Sequence, residues 1–145
     1  SGTSKLQIQL TDNPYNATEV NVEILQVKVN FRGDSTGWID LETKDSIYNL
    51  LDLQNGVTTP LAQGNVPADT LKEIRFILGD SNSIKIGDEV FPMKVPSGSE
   101  SGLKIKLNKK LNATLESLVI DFDAALSVIK TGNDKYVLKP VLKIK

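Results

Sequence analysis

Between Val20 and Phe31 apolar side chains recur at every second position, but the phase slips once. Val20, Val22 and Ile24 hold even positions; Leu25, Val27, Val29 and Phe31 hold odd ones. Side chains on a strand alternate between two faces, so an uncorrected slip would turn one apolar set away from the interior. One strand can carry both sets only if a bulge or bend lies between Ile24 and Leu25. A long strand that bends there and contributes to both sheets of a sandwich meets that demand.

The same alternation recurs elsewhere. Leu6, Ile8 and Leu10 alternate with Gln7 and Gln9, and Thr11-Asp12-Asn13-Pro14 ends the run. Arg32 to Gly37 reads as a loop, and Trp38, Ile39 and Leu41 lead into the next strand. Ile47 to Leu53 reaches Asn55-Gly56, a strong hairpin signal, with Val57 to Leu61 as the expected return strand. Gln63 to Asp69 reads as a second loop. Leu71 to Leu78 fits a helix face or a strand, and the β-branched and aromatic run Ile74 to Leu78 favours strand. Ile84 to Ile86 is expected to pair with Glu89 to Val95 across Gly87-Asp88, with Pro92 marking an edge strand. Leu103, Ile105 and Leu107 form one more alternating set, and Leu118, Ile120 and Phe122 another. Tyr136, Leu138, Pro140, Leu142 and Ile144 share one face of a last strand, and Asp123 can cap a short helical turn before it. The pattern predicts an all-β fold, a two-sheet antiparallel sandwich with at most one short helix. Residues 6–145 are expected to form a single domain, with residues 1–5 as a tether.

Two missing residue types narrow the chemistry. With no His and no Cys, the chain cannot build a Ser-His-Asp triad, a thiolate nucleophile, a disulfide or a Cys/His zinc site. Formal net charge is −1, so no global attraction to nucleic acid is expected. Charge is nonetheless uneven: residues 1–70 carry a net −5 and residues 71–145 a net +4, which interleaved strands would mix. No stretch has the length of a membrane-spanning helix.

Several residue groups are candidates for a site. Asp12, Asp121 and Asp123 supply carboxylate oxygens for calcium, which takes about six to eight oxygen ligands. Asp121 and Asp123 fall on one side of a strand, although a solvated face and a helix cap explain them as well. As glycosidase carboxylates they would sit too close together on one strand to flank a bond across a cleft. Ser97, Ser99 and Ser101 lack a His base, and Ser101 and Lys104 fall on opposite faces of a strand. Trp38, Tyr48 and Tyr136 would bind a sugar ring if they shared an exposed surface; core packing is the plainer role for Trp38. Lys104, Lys106, Lys109, Lys110, Lys139, Lys143 and Lys145 could form one basic face for an acidic polymer, or simply guard sheet edges. Arg32-Gly33-Asp34 matches an integrin-binding tripeptide but is more simply a turn. Asn16-Ala17-Thr18 and Asn112-Ala113-Thr114 match the N-glycosylation pattern, and Asp45-Ser46-Ile47 and Asp69-Thr70-Leu71 an O-glycosylation signal of some gut-type bacteria.

Eight phrases in order carry a family resemblance. They are Leu10 to Pro14, the isolated Trp38, Leu50 to Gly56, Ile74-Arg75-Phe76, Val95 to Gly98, Ser101 to Lys104, Asp121-Phe122-Asp123 and Tyr136 to Pro140. Together they resemble the domain-of-unknown-function family numbered 4382, found in bacterial lipoproteins and surface proteins. The resemblance implies a prealbumin-like or immunoglobulin-like sandwich exported to the cell envelope, and it assigns no functional residue. With the catalytic residue types His and Cys missing, the expected role is a non-catalytic structural or adhesive module of an envelope lipoprotein, with other envelope proteins or a glycan as partners. Membrane attachment would run through an N-terminal lipid anchor. The alternative is a glycan- or peptide-binding domain that uses the loops at one end of the sandwich. No enzyme activity and no nucleic-acid partner are expected, and calcium is the one cofactor the residues suggest.

Overall fold

The computed structural model describes residues 2–12, 17–96 and 103–145. They form a two-sheet, all-β sandwich. The first sheet has the order β14 (Leu142–Ile144), β11 (Leu115–Phe122), β1 (Thr3–Thr11), β6 (Thr59–Pro67) and β4 (Glu42–Thr43). The second has the order β10 (Lys104–Lys110), β7 (Thr70–Leu78), β2 (Glu19–Asn30), β8 (Ser83–Ile86), β9 (Glu89–Lys94), β13 (Lys135–Leu138) and β12 (Val128–Gly132). β3 (Trp38–Asp40) and β5 (Ser46–Asn49) also pair with β2. The alternating apolar sets meet in one core, where Leu6, Ile8 and Leu10 join Val22, Val27, Val29, Ile74, Phe76, Ile120 and Phe122.

The phase slip in β2 is a bulge. Ile24 pairs with Leu78 and Gln26 with Ile77, so Leu25 is one residue too many for its partner. Leu25 is 42% exposed while Ile24 and Val27 are fully buried. The inward odd set therefore starts at Val27, one step later than the alternation suggests. β2 also stays within the second sheet and does not contribute to both.

Opposite the bulge the partner strand breaks. β7 and β8 run along the same edge of β2, separated by residues 79–82. There the Gly79 N–H donates to the Glu23 carbonyl at 3.0 Å, and the Asn82 side chain accepts from the Glu23 N–H at 2.9 Å. Asn82 also donates to the Gly79 carbonyl at 2.9 Å. A side chain thus completes the ladder where backbone is lacking. On the other edge of β2, the Thr43 hydroxyl accepts from the Val27 N–H at 3.0 Å, and the Leu41 N–H reaches the Val27 carbonyl at 3.0 Å.

Several sequence expectations change. The sheets are mixed, because β1 pairs with β11 in parallel and β9 with β13 in parallel. Parallel neighbours need a long crossover, and nearly the whole chain lies between β1 and β11. The first strand begins at Thr3, not Leu6: Ser4 is fully buried and its hydroxyl donates to the Thr114 carbonyl at 3.1 Å. Residues 3–5 are therefore no tether. Asn55 and Gly56 form a tight turn with φ of 59° and 83°, but they do not close a hairpin. Leu50–Leu53 is a 3-10 helix that buries Leu50 and Leu53, and β5 and β6 pair with β2 and β1 respectively. Residues 63–67 belong to β6 because β1 offers them a full antiparallel partner. β9 is covered by β13 from Met93 onward, so Pro92 marks where that pairing begins, not a free edge. The last apolar run is two strands in different sheets, since Pro140 lacks the N–H to continue a ladder.

The bulge makes a sharp mutational contrast. Ile24→Ala should cost about 2–5 kcal/mol, as buried truncations do. Leu25→Gln should stay within about 0.5 kcal/mol of wild type. Urea denaturation of both variants checks this; equal losses would contradict the bulge.

Candidate functional site

Parallel pairing brings the ends of β1 and β11 together, with Thr11 beside Asp121. Asp12, Asp121 and Asp123 follow, and all three are nearly inaccessible. Burying a carboxylate is costly unless donors surround it. Here Asp12 Oδ1 accepts from the Ala124 N–H at 2.8 Å, at the start of α1 (Ala124–Ser127). Asp123 Oδ1 accepts from the Leu126 N–H at 3.1 Å and so caps the same helix. Lys143, opposite Asp121 on β14, places Nζ 3.4 Å from Asp123 Oδ2 and 3.9 Å from Asp121 Oδ2. Ser127 extends the joint: its Oγ accepts from the Val141 N–H at 2.8 Å.

The three carboxylates therefore gather as the sequence suggests, but around protein donors. Calcium would need its ligands to be oxygens, whereas amide hydrogens and an ammonium face these groups. Among the described residues no set of three or more acidic side chains is arranged to hold a metal ion. The calcium assignment of Asp12, Asp121 and Asp123 gives way to a structural one, and the idea that Asp121 and Asp123 lie on a solvated face falls with their burial.

Trp38, Tyr48 and Tyr136 do not share a surface. Trp38 pairs with Asn30 and Tyr48 with Val22, eight positions apart along β2 or roughly 26 Å at about 3.3 Å per residue. Tyr136 lies beyond β8 and β9, its ring 5.3 Å from that of Phe91. Both tyrosines pack against the core. The reading of these three as one glycan platform is therefore corrected.

The remaining candidates divide. Asp34 accepts from the Thr36 hydroxyl at 2.7 Å and the Thr36 N–H at 2.9 Å, and these bonds, the hydroxyl first, lower its pKa. Buried Asn30 binds the Arg32 and Gly33 amides, so the Arg-Gly-Asp tripeptide is a turn held from within. Lys104, Lys106, Lys109 and Lys110 are exposed on β10, the outer strand of its sheet, while Lys143 is spent on the aspartates. Ser46 and Asn112 are exposed. Asn16, Ser97, Ser99 and Ser101 lie outside the described residues.

One recess went unnoticed in the sequence. A cavity of about 510 Å³ opens between the end of β7, the break at residues 79–82 and the end of β9. Arg75, Lys94 and the buried Phe76 and Met93 are among the residues that line it. Its faint signal was a lone arginine within Ile74-Arg75-Phe76, paired laterally with Lys28 and Lys104.

The sequence pattern of the family described as domain of unknown function (DUF4382) matches residues 3–140. The chain belongs to DUF4382. No curated protein and no solved structure matches it. In this DUF4382 domain, the match begins at the strand that the carboxylate joint anchors and ends just beyond β13.

Tyr48 supplies a pH handle. Burial, then the nearby Asp45 carboxylate, raises its pKa above 10.0, and its hydroxyl donates to the Lys44 carbonyl. A raised pKa stabilises the fold fully below the unfolded value and is lost as pH climbs through the folded one. Stability should therefore fall from about pH 10 upward, and Tyr48→Phe should flatten that fall in denaturant titrations at stepped pH. Asp12→Ala, by stranding the Ala124 amide, should cost about 1–3 kcal/mol, while calcium or a chelator leaves the wild-type melting temperature unmoved.

Proposed function

We propose that this DUF4382 domain is a non-catalytic structural or adhesive module of a bacterial cell-envelope lipoprotein. The observation that carries the reading is the carboxylate joint. The acidic groups best placed for acid–base work or metal binding are directed onto the Ala124 and Leu126 amides and onto Lys143. They fasten β1, β11, β14 and α1 to one another. A module whose buried polar groups serve cohesion suits transmission of load or presentation of a surface. The exposed lysines along β10 support a role at the surface, since charged edges resist unwanted sheet-to-sheet pairing. Among the described residues no helix is long and apolar enough to cross a membrane, so attachment would come from a lipid or from another part of the protein.

The test is made on the full-length protein in a bacterium that encodes it. Labelling with a fatty-acid probe, membrane fractionation and protease treatment of intact cells should find it acylated, membrane-associated and cleaved from outside. An unlabelled protein in the cytosolic fraction would overturn the proposal.

A further inference from the structure

We propose that the cavity between β7 and β9 is a binding site for a carboxylate carried on an apolar body. This goes beyond the envelope reading and stands independently of it. The leading observation is Arg75. Its Nε is buried and has no hydrogen-bond partner among the described residues. A buried donor withdrawn from water loses free energy unless something accepts from it, and native proteins keep few such groups. The described acceptors around the cavity do not reach this Nε: the Asp80 carboxylate is exposed and makes no bond to Arg75. Asn82 bridges Glu23 and Gly79, and Asp40 holds Lys28 at 3.2 Å. Among the described residues Arg75 has no ion pair. The missing acceptor is therefore one that arrives with a ligand.

The cavity sets what that ligand is. About 510 Å³ lies within the range of small-molecule sites. Phe76 and Met93 contribute to the lining while being almost wholly buried themselves, which makes part of it apolar. Arg75 and Lys94 bring two positive charges to the lining and Asp80 one negative charge. With exposed Lys104 beside Arg75 in the register of β7 and β10, the described surroundings are net positive and suit an anion. A guanidinium also fits a planar carboxylate with two parallel hydrogen bonds. Such a group comes from a free small acid or from the C-terminus of a peptide.

The chain has two arginines, Arg32 and Arg75, so the Nε–H region of a ¹⁵N–¹H spectrum holds two signals, and an Arg32→Lys sample assigns them. N-acetyl-leucine should move the Arg75 signal saturably, while N-acetyl-leucinamide does not and Arg32 stays still. A titration with Gly-Gly-Leu separates the sources: tighter binding than N-acetyl-leucine identifies a peptide C-terminus, and equal or weaker binding a free acid. Arg75→Gln should abolish the backbone shifts around Met93 and Lys94 without lowering the melting temperature. An Arg75 signal unmoved by both acids to about 20 mM, beyond the millimolar range of weak sites, or moved equally by the amide, would overturn the proposal.

Discussion

The sandwich depends on one extra residue in one strand. β2 is the longest strand described and has partners along both edges. Without Leu25 set aside, Ile24 and Val27 could not both face the core, and either the Val20–Ile24 set or the Val27–Phe31 set would point to water. Exposing several β-branched side chains would cost roughly 1.5–3 kcal/mol apiece, far more than a local break in the ladder. The bulge is the cheaper solution, and the neighbours are shaped by it. β7 and β8 part on one edge, and on the other Leu41 and Thr43 step across to a strand of the opposite sheet.

Each break needs polar side chains to finish what the backbone leaves undone. Asn82, Thr43 and Asn49 all hydrogen-bond backbone groups of β2 or of its connections. The carboxylate joint at the far end of β1 follows the same logic. A parallel strand end cannot close by a tight hairpin, and the first turn of α1, which follows β11, has amides that need acceptors. Asp12 and Asp123 provide them, and Lys143 offsets part of the negative charge at Asp121 and Asp123. Buried polar residues in this domain are concentrated where regular pairing stops.

That explains what was legible in the sequence. The strand type, the slip in β2, the strand character of Leu71 to Leu78 and the Asp123 cap all follow from local rules, and the structure shows them. Asn55-Gly56 announced a turn truly, yet the strands around it found partners elsewhere, because pairing is decided by burial over long distances. The parallel neighbours left no local trace for the same reason. Asp12, Asp121 and Asp123 were rightly grouped, but residue type alone could not tell whether an ion or amide hydrogens would fill the space among them. Trp38, Tyr48 and Tyr136 were grouped by kind, and the topology separates them.

The cavity beside Arg75 belongs to this same chain of causes. Where β7 stops opposite the bulge, the next strand along β2 is β8, paired with β9, and β10 accompanies β7 only as far as Arg75. A sheet that divides this way leaves a recess lined in part by its own core. The mixed lining comes from the alternation itself: buried Phe76 and Met93 are each next in sequence to a less buried charged residue, Arg75 and Lys94. An irregularity needed for folding thus places an arginine in a partly enclosed setting that a flat sheet face would not give it.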